Sequence, residues 1–483
     1  MESDAAEGSM PVAGLEYEDA YELTHGVDGS SGMAASVFPI QDLLPELLSK
    51  VFIHCLPTDE FVRPSRCAVQ VVLLQVCSLW RDVALHTPGL WCSMKIPLTG
   101  YVTALGTLRV TVPFWTEIMR TWVERSGCLP LSIHLDDYRL ATASPSDAPY
   151  KLLLGTIARC KNLKITTCFP SQSLISALCD TSSHFPMLEG LEMGWIHASV
   201  LRDPSFLLTG KFASLPALRR LECHWPIWHM DLSNVPWTQL TCLGLHDLTS
   251  ARKCLQLLEQ CHVLESCTLA FDAGLNDIET GSVLQLDNLV KFAVERHCQD
   301  TIDAFISRLR MPSLLHLSLH TSPRGGRIGS IDSIRTMLGG ASGPVEELNI
   351  LASKGLCFNS IDDYWKIWEF TRNLKKLNIE GNIDDDPFGG QIEAVLSKLC
   401  VSPDGSSITY LPRLEELYLS ADYPHMDPPS EDTFRRVVHS RLPQTGDIYP
   451  TTRLRNAELS FRTSPVIMKA WHLTESGEVE RCP

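Results

Sequence analysis

Several things are scarce or missing in this sequence, and each argues against a class of function. Positive charge is short: 41 lysines and arginines face 57 acidic residues, a net charge of −16. Nucleic-acid binders normally carry a basic patch, and anionic membranes attract one, so neither partner is expected. No run of about 18 apolar residues occurs, so no membrane-spanning helix is expected. C-x-x-C spacing is absent although there are 17 cysteines, an odd number. The opening MESDAAEGSM lacks the basic and apolar regions of a secretory signal. The cysteines are therefore expected to be reduced and mostly buried, with no disulfide framework and no zinc site, in a cytoplasmic or nuclear protein. The phosphate-loop, nucleophile-elbow and zincin motifs are all missing, so no enzyme activity and no cofactor are expected.

What is present is a chain of 483 residues with 44% hydrophobic content, enough for a large core. Residues 1–36 are acidic and rich in Gly, Ser and Ala, and are expected to be a disordered tail. Order is expected from Phe38. Pro45 suits a first helical turn, and Leu47, Leu48, Val51, Phe52 and Cys55 follow at helical spacing. Pro57 ends that helix. After a loop, a second helix is expected from Ala68 to His86, with Val72, Val76, Trp80 and Val83 near one face. Residues 97–128 read as a connector holding one amphipathic helix, with Trp115, Ile118, Met119, Trp122 and Val123 on its apolar side and its end near Gly127. A strand is expected over 129–135.

Periodicity alone describes residues 37–96 as a small helical module with an apolar face, and on that ground alone a cap over the end of the repeats that follow is favoured. The order of two patterns says more. Leu44-Pro45-Glu46-Leu47-Leu48 with Val51-Phe52 opens the module, and Val76-Cys77-Ser78-Leu79-Trp80-Arg81-Asp82-Val83-Ala84 closes it, followed by Thr87-Pro88-Gly89-Leu90-Trp91. This pair resembles the F-box, in the F-box-like form abundant in fungal proteins, with a longer loop between its helices. The resemblance implies a module that binds the SKP adaptor of a cullin–RING ubiquitin ligase. By that resemblance Leu44, Pro45, Leu47, Leu48, Val51, Phe52, Val76 and Trp80 form the module and its adaptor-facing surface.

From residue 129 to 463 one pattern returns: an apolar residue, two others, an apolar residue, one other, an apolar residue. It runs through Leu188/Leu191/Met193, Leu218/Leu221/Cys223, Leu240/Leu243/Leu245, Leu264/Cys267/Leu269 and Leu289/Phe292/Val294. It continues through Leu314/Leu317/Leu319, Val345/Leu348/Ile350, Leu374/Leu377/Ile379 and Leu414/Leu417/Leu419, with weaker copies headed by Leu163 and Leu454. Spacing and pattern are those of leucine-rich repeats. The expected fold class is therefore α/β: a helical module, then a solenoid with a curved parallel sheet and helices on its convex side. Another α/β fold remains the alternative. Candidate returning segments include Cys254–Leu258, 302–309 and 364–371. Residues 384–387 and 402–405 read as inserted loops, Arg324–Arg327 as a surface loop, and 464–483 as a C-terminal tail.

In such an array the side chains between the inward ones line the concave face, where partners bind. The candidates are Arg220, Glu222, His224, His246, Lys291, Glu295, His316, His320, Glu347, Lys376, Asn378, Glu380, Glu416 and Tyr418. Four of these are histidines, but spread over several repeats they are expected to hydrogen-bond rather than hold a metal. The adjacent pairs Cys261–His262 and His297–Cys298 imply no catalytic dyad, since such pairs are made in space. These residues leave two readings. One is a substrate-recognition subunit of an SKP–cullin–F-box ligase that binds a target protein through the repeats. The other is a repeat-based binding scaffold whose N-terminal helices are only a cap.

Overall fold

The computed structural model describes residues 43–57, 61–98, 102–103, 106–107, 112–137, 148–167, 185–195, 210–211, 214–224, 230–248, 250–271, 282–296, 303–321, 330–338, 344–352, 361–382, 396–400, 411–422, 431–441, 454–463, 467–473 and 479–481. The expected tail at 1–36 and the loops at 324–327, 384–387 and 402–405 lie outside these, as do His297 and Cys298.

Three helices open the described chain: α1 (Pro45–His54), α2 (Val69–Val76) and α3 (Ser78–Leu85). The expected single helix over 68–86 is thus two. Cys77 adopts an extended conformation (φ −158°, ψ 174°), which no helix continues through, and its Sγ accepts from the Trp80 N–H at 3.4 Å to start α3. Leu48 and Phe52 turn inward, and Phe52 meets Trp80 with ring centroids 5.0 Å apart. The Gln70 side chain donates to the Leu90 carbonyl at 3.1 Å, and the Trp91 indole N–H donates to Ala84 at 3.0 Å.

A fifteen-stranded sheet comes next, with its strands side by side in chain order. The strands are β1 (Ser93–Pro97), β2 (Leu131–Asp137), β3 (Cys160–Thr167), β4 (Gly190–Trp195), β5 (Arg220–Cys223), β6 (Cys242–Leu248), β7 (Ser266–Phe271) and β8 (Lys291–Arg296). They continue as β9 (His316–Thr321), β10 (Glu347–Ala352), β11 (Lys376–Asn382), β12 (Glu416–Asp422), β13 (Asn456–Thr463), β14 (Ile467–Leu473) and β15 (Val479–Arg481). Pairing is parallel from β1 to β13 and antiparallel for the last two steps. The sheet therefore begins at residue 93, ahead of the expected connector, and residues 467–473 and 479–481 are strands rather than a tail. Both end strands fall where the apolar pattern is not repeated, so the repeat alone does not reveal them.

The repeated residues build the core. The heads Leu188, Leu218, Leu240, Leu264, Leu289, Leu314, Val345, Leu374, Leu414 and Leu454 are all at most 1% exposed. Leu191, Leu221, Leu243, Cys267, Phe292, Leu317, Leu348, Leu377 and Leu417 align strand by strand in one buried row. Alternation of side chains along each strand leaves the intervening residues on the other face. The residue after each head extends the register: Glu189, Arg219, Thr241, Glu265, Val290, Leu315, Glu346, Lys375, Glu415 and Arg455 each donate a backbone N–H to the equivalent carbonyl one repeat earlier. A tight turn precedes most heads, as in Leu218 N–H to Leu215 and Leu314 N–H to Met311, and its first residue is itself buried. That further apolar position escaped the sequence pattern.

Between strands lie α4 (Val112–Arg125), α5 (Ala148–Thr156), α6 (Ala251–Leu258), α7 (Asp303–Ile306), α8 (Ile331–Met337), α9 (Ile361–Phe370) and α10 (Glu431–Ser440). The α4 helix ends as expected, before Gly127 at φ +57°. Cys254, Leu255 and Leu258 of α6 are buried, whereas Leu257 is only partly so. The expected segment 302–309 is a four-residue helix, and Leu309 belongs instead to a short strand paired with Leu284–Gln285. The architecture is α/β, with one large, mostly parallel sheet whose chain-ordered repeat is compatible with a solenoid.

The helical module joins this sheet without a break in the core, which runs from Leu48 to Val479 as one buried cluster. Lys95 N–H donates to the Val62 carbonyl at 2.7 Å, and Val62 N–H to Ser93 Oγ at 3.2 Å. Trp91 meets Trp122 of α4 edge-on at 5.4 Å, with the Arg125 guanidinium 4.6 Å from the Trp91 ring.

Candidate functional site

Two surfaces gather the candidate residues. The first is on the helical module, where the structure separates residues that sequence left mixed. Leu48 (0% exposed) and Phe52 (1%) are core, and Trp80 is half-buried against Phe52. Leu48 and Phe52 therefore hold the module together and do not face a partner. Leu44 (64%), Leu47 (47%) and Val51 (42%) are exposed and recur at helical spacing along one side of α1. Pro45 is exposed beside them. Val76 is 53% exposed on α2, with Val72 one turn before it. The break at Cys77 takes Val72 and Val76 out of line with Val83, which is buried. Sequence reasoning missed Ile53 and Leu79, also exposed. Among the described residues, seven of the twelve large apolar side chains left exposed lie on these three helices: Leu44, Leu47, Val51, Ile53, Val72, Val76 and Leu79. Exposed apolar side chains that gather into a contiguous patch commonly mark interaction sites, whereas singly scattered ones are ordinary surface.

The second surface is the open face of the sheet, expected to be concave. Pairing register puts the repeat candidates into rows. One row holds Arg220, Cys242, Ser266, Lys291, His316, Glu347, Lys376 and Glu416. The next holds Lys95, His134, Lys164, Glu192, Glu222, Gly244, Thr268, Ala293, Ser318, Asn349, Asn378 and Tyr418. In a third row Glu295 is in register with His320 and, further along, Leu351 with Glu380. Every candidate in these strands thus lies on one face, but three separate clusters form.

At the β9–β12 end, His316 Nδ1 lies 2.8 Å from Glu347 Oε2, and Lys376 Nζ lies 3.3 Å from Glu347 Oε1 and 4.0 Å from Glu416 Oε2. Lys376 also sits 5.7 Å from the Tyr418 ring centre. Asn349 donates to Ser318 Oγ and Glu347 Oε1. Burial pushes the Glu347 carboxyl up, but hydrogen bonds from His316, Asn349 and Lys376 outweigh it and hold the group below its usual range.

In the middle, the His224 and His246 rings stack with centroids 3.6 Å apart and planes 18° from parallel. Glu295 lies between His246 and His320, with Nδ1–carboxylate distances of 3.9 and 3.4 Å. Toward β1, Lys164 pairs with Glu192, and Lys95 with Asp136 at 3.0 Å. Burial, with Glu192 in the adjacent register position, pushes the Glu222 carboxyl up. Glu222 leans over Gly244: a Cβ there would come within 2.9 Å of its Cγ. The His134 ring meets Thr166 Oγ1 at 3.0 Å, and burial, with Lys95 and Lys164 nearby, pulls its pKa down to about 3. Lys95, His134, Lys164 and Glu192 were not singled out in the sequence; Lys95 and His134 lie on strands outside the recognisable repeats, and the register alone puts all four in one row with Glu222.

Among the described residues, no group of three or more His, Cys, Asp or Glu side chains is placed to hold a metal ion. No helix there is long and apolar enough to cross a membrane. No family model matches the chain, and no curated protein matches it. Its two surfaces therefore have to be read from their own chemistry.

Proposed function

We propose that this chain is a substrate-recognition subunit of an SKP–cullin–F-box ubiquitin ligase, docking the SKP adaptor through α1–α3 and a target protein on the open sheet face. It contributes no bond-making chemistry. Holding a target beside a ligase-bound ubiquitin-conjugating enzyme raises the local concentration of the target's lysines, which is catalysis by proximity. The F-box resemblance names the adaptor. The observation that carries the reading is the sorting of α1, with Leu48 and Phe52 inside and Leu44, Leu47 and Val51 outside.

The cap reading has an observation of its own, the continuous core and the Val62–Lys95 bond that tie the module to β1. A terminal cap, however, needs a polar outer face for solubility. Here the module's solvent-exposed surface carries seven large apolar side chains, which suits a module that is joined to the array and also docks a partner.

The deciding experiment is co-purification of the full chain with the SKP adaptor, native against Leu44→Ala/Leu47→Ala. A one-to-one complex that the variant loses while its melting temperature holds supports the reading. Absence of any complex with the native chain leaves the binding scaffold.

A further inference from the structure

The middle of the open face holds a unit that the proposed function leaves without a role. His224 directly follows β5, His246 is on β6, Glu295 on β8 and His320 on β9. The carboxylate of Glu295 faces an imidazole Nδ1 on each side, and His224 covers the ring of His246. None of His246, Glu295 and His320 is fully buried, with 16%, 27% and 30% of their side chains exposed.

Histidine is the side chain whose charge changes between about pH 5 and 8. With neutral imidazoles, Glu295 gives this part of the face a negative charge. A proton on His246 or His320 lands beside that carboxylate and cancels it, and a second makes the site positive. The stack constrains the order of events, because two imidazolium rings at 3.6 Å repel each other. Burial holds His224 below the ordinary histidine range, against the pull of Glu192 and Glu295 and with help from Lys164, which disfavours a charge on that member of the stack. The other charged or titratable groups that neighbouring strands put on this face are Glu192 on β4, Arg220 and Glu222 on β5, Lys291 on β8, His316 on β9, Glu347 on β10 and Glu380 on β11; burial pushes the Glu222 carboxyl up, and Glu380 lies two strands along the register row from His320.

We propose that the His224–His246–Glu295–His320 unit is a proton-operated selector on the partner-binding face: with its imidazoles neutral it favours a basic side chain of the bound protein, and with them charged it rejects one. This rests on the open face being the partner surface. The adaptor-facing helices contribute no residue to it, so adaptor co-purification tests the ligase reading separately.

The test needs no known partner. Full-length protein carrying carbon-13-labelled histidine is titrated by NMR, with ring signals assigned from His224→Gln, His246→Gln and His320→Gln. Cationic 3-aminomethyl-proxyl and anionic 3-carboxy-proxyl then report the local potential at each ring. Gaining two charges about 10 Å from such a probe, after screening, changes the ratio of cationic to anionic relaxation enhancement about threefold. The ratio at His246 and His320 is expected to fall by that factor from the upper to the lower end of the range in which histidines change charge, about pH 8 to pH 5. Glu295→Gln, close to isosteric, is expected to lower the ratio already at the upper pH, and His320→Gln to shrink the pH response. A ratio that ignores pH, or a Glu295→Gln protein matching the native one at the upper pH, overturns the proposal.

Discussion

Replacing Leu44 and Leu47 together by alanine separates docking from folding. Full burial of a leucine side chain stabilises by about 1.5–3 kcal/mol. Leu44 is 64% and Leu47 47% exposed in the free chain, so about half of each side chain's surface is still available for a partner to cover. Covering it contributes about 1 kcal/mol per residue, or about 2 kcal/mol for the pair, and the double variant should bind the SKP adaptor about 30-fold more weakly. Folding has little to lose, because the neighbouring Leu48 and Phe52 carry the core contacts of α1. Leu48→Ala is the contrasting case. It empties a fully buried position and should cost about 2–5 kcal/mol of stability. Calorimetric titration with purified adaptor, alongside scanning calorimetry of the same samples, measures both quantities. The reasoning fails if the double variant binds like the native chain, or if its melting temperature drops as far as that of Leu48→Ala.

Other consequences can be checked by similar means. His134 is neutral in the fold, with its pKa pulled from 6.5 to about 3, so below pH 6.5 the unfolded chain binds one proton more and stability falls with pH. At about pH 5 that loss is about 2 kcal/mol, and His134→Gln should flatten the decline seen by urea melts across that range. Arg441 is buried and donates to the Leu399 and Leu411 carbonyls at 3.0 Å each; Arg441→Met removes both bonds, with Leu411 keeping only the Leu414 N–H, and should cost about 1–3 kcal/mol in denaturant melts. Gly244→Ala places a methyl 2.9 Å from Glu222 Cγ and 3.5 Å from its Cα, and should destabilise by about 1–2 kcal/mol; an unchanged melt would show that Glu222 does not lean over β6.

The strands of this protein are legible in its sequence because each needs two buried residues at alternate positions after a buried head. Leu374, Leu377 and Ile379 supply them, and the structure puts them at 0%, 0% and 7% exposure. The helix break at Cys77 is not legible. An apolar run from Val69 to Trp80 fits one helix or two, and the choice falls to the local extended conformation of a single residue. Nor are β1 and β14, which extend the sheet at its ends through backbone pairing rather than through the repeat. On the candidate site, residue types and spacing bring the right side chains to one face. They do not say that Leu48 faces inward while Leu47 faces out, because a helical stripe gives a direction only once a neighbour is known. Phe52 against Trp80 fixes it. The sorting of the open face into three clusters likewise depends on register, which sets Glu295 beside His320 rather than beside another carboxylate.

That division has a consequence for how such a chain can change. Each strand spends alternate residues on the core and offers the rest to the open face, so the two sets answer to different demands. The strands of the buried row from Leu191 to Leu417 are joined by eight of the head-following backbone bonds, and these involve no open-face side chain. Substitutions among Arg220, Lys291, His316 or Tyr418 therefore alter what the face attracts while leaving the bonds that register the repeats in place. At the other end, the module cannot vary so freely: its inner side must match β1, Trp122 and Arg125, and on the proposed reading its exposed side must also match the adaptor. If the proposed function holds, a chain built this way can exchange its target surface repeat by repeat while keeping one docking surface fixed. The physical basis is that the buried core runs unbroken from α1 into the last strands, so whatever binds the open face is held in a defined relation to whatever binds α1.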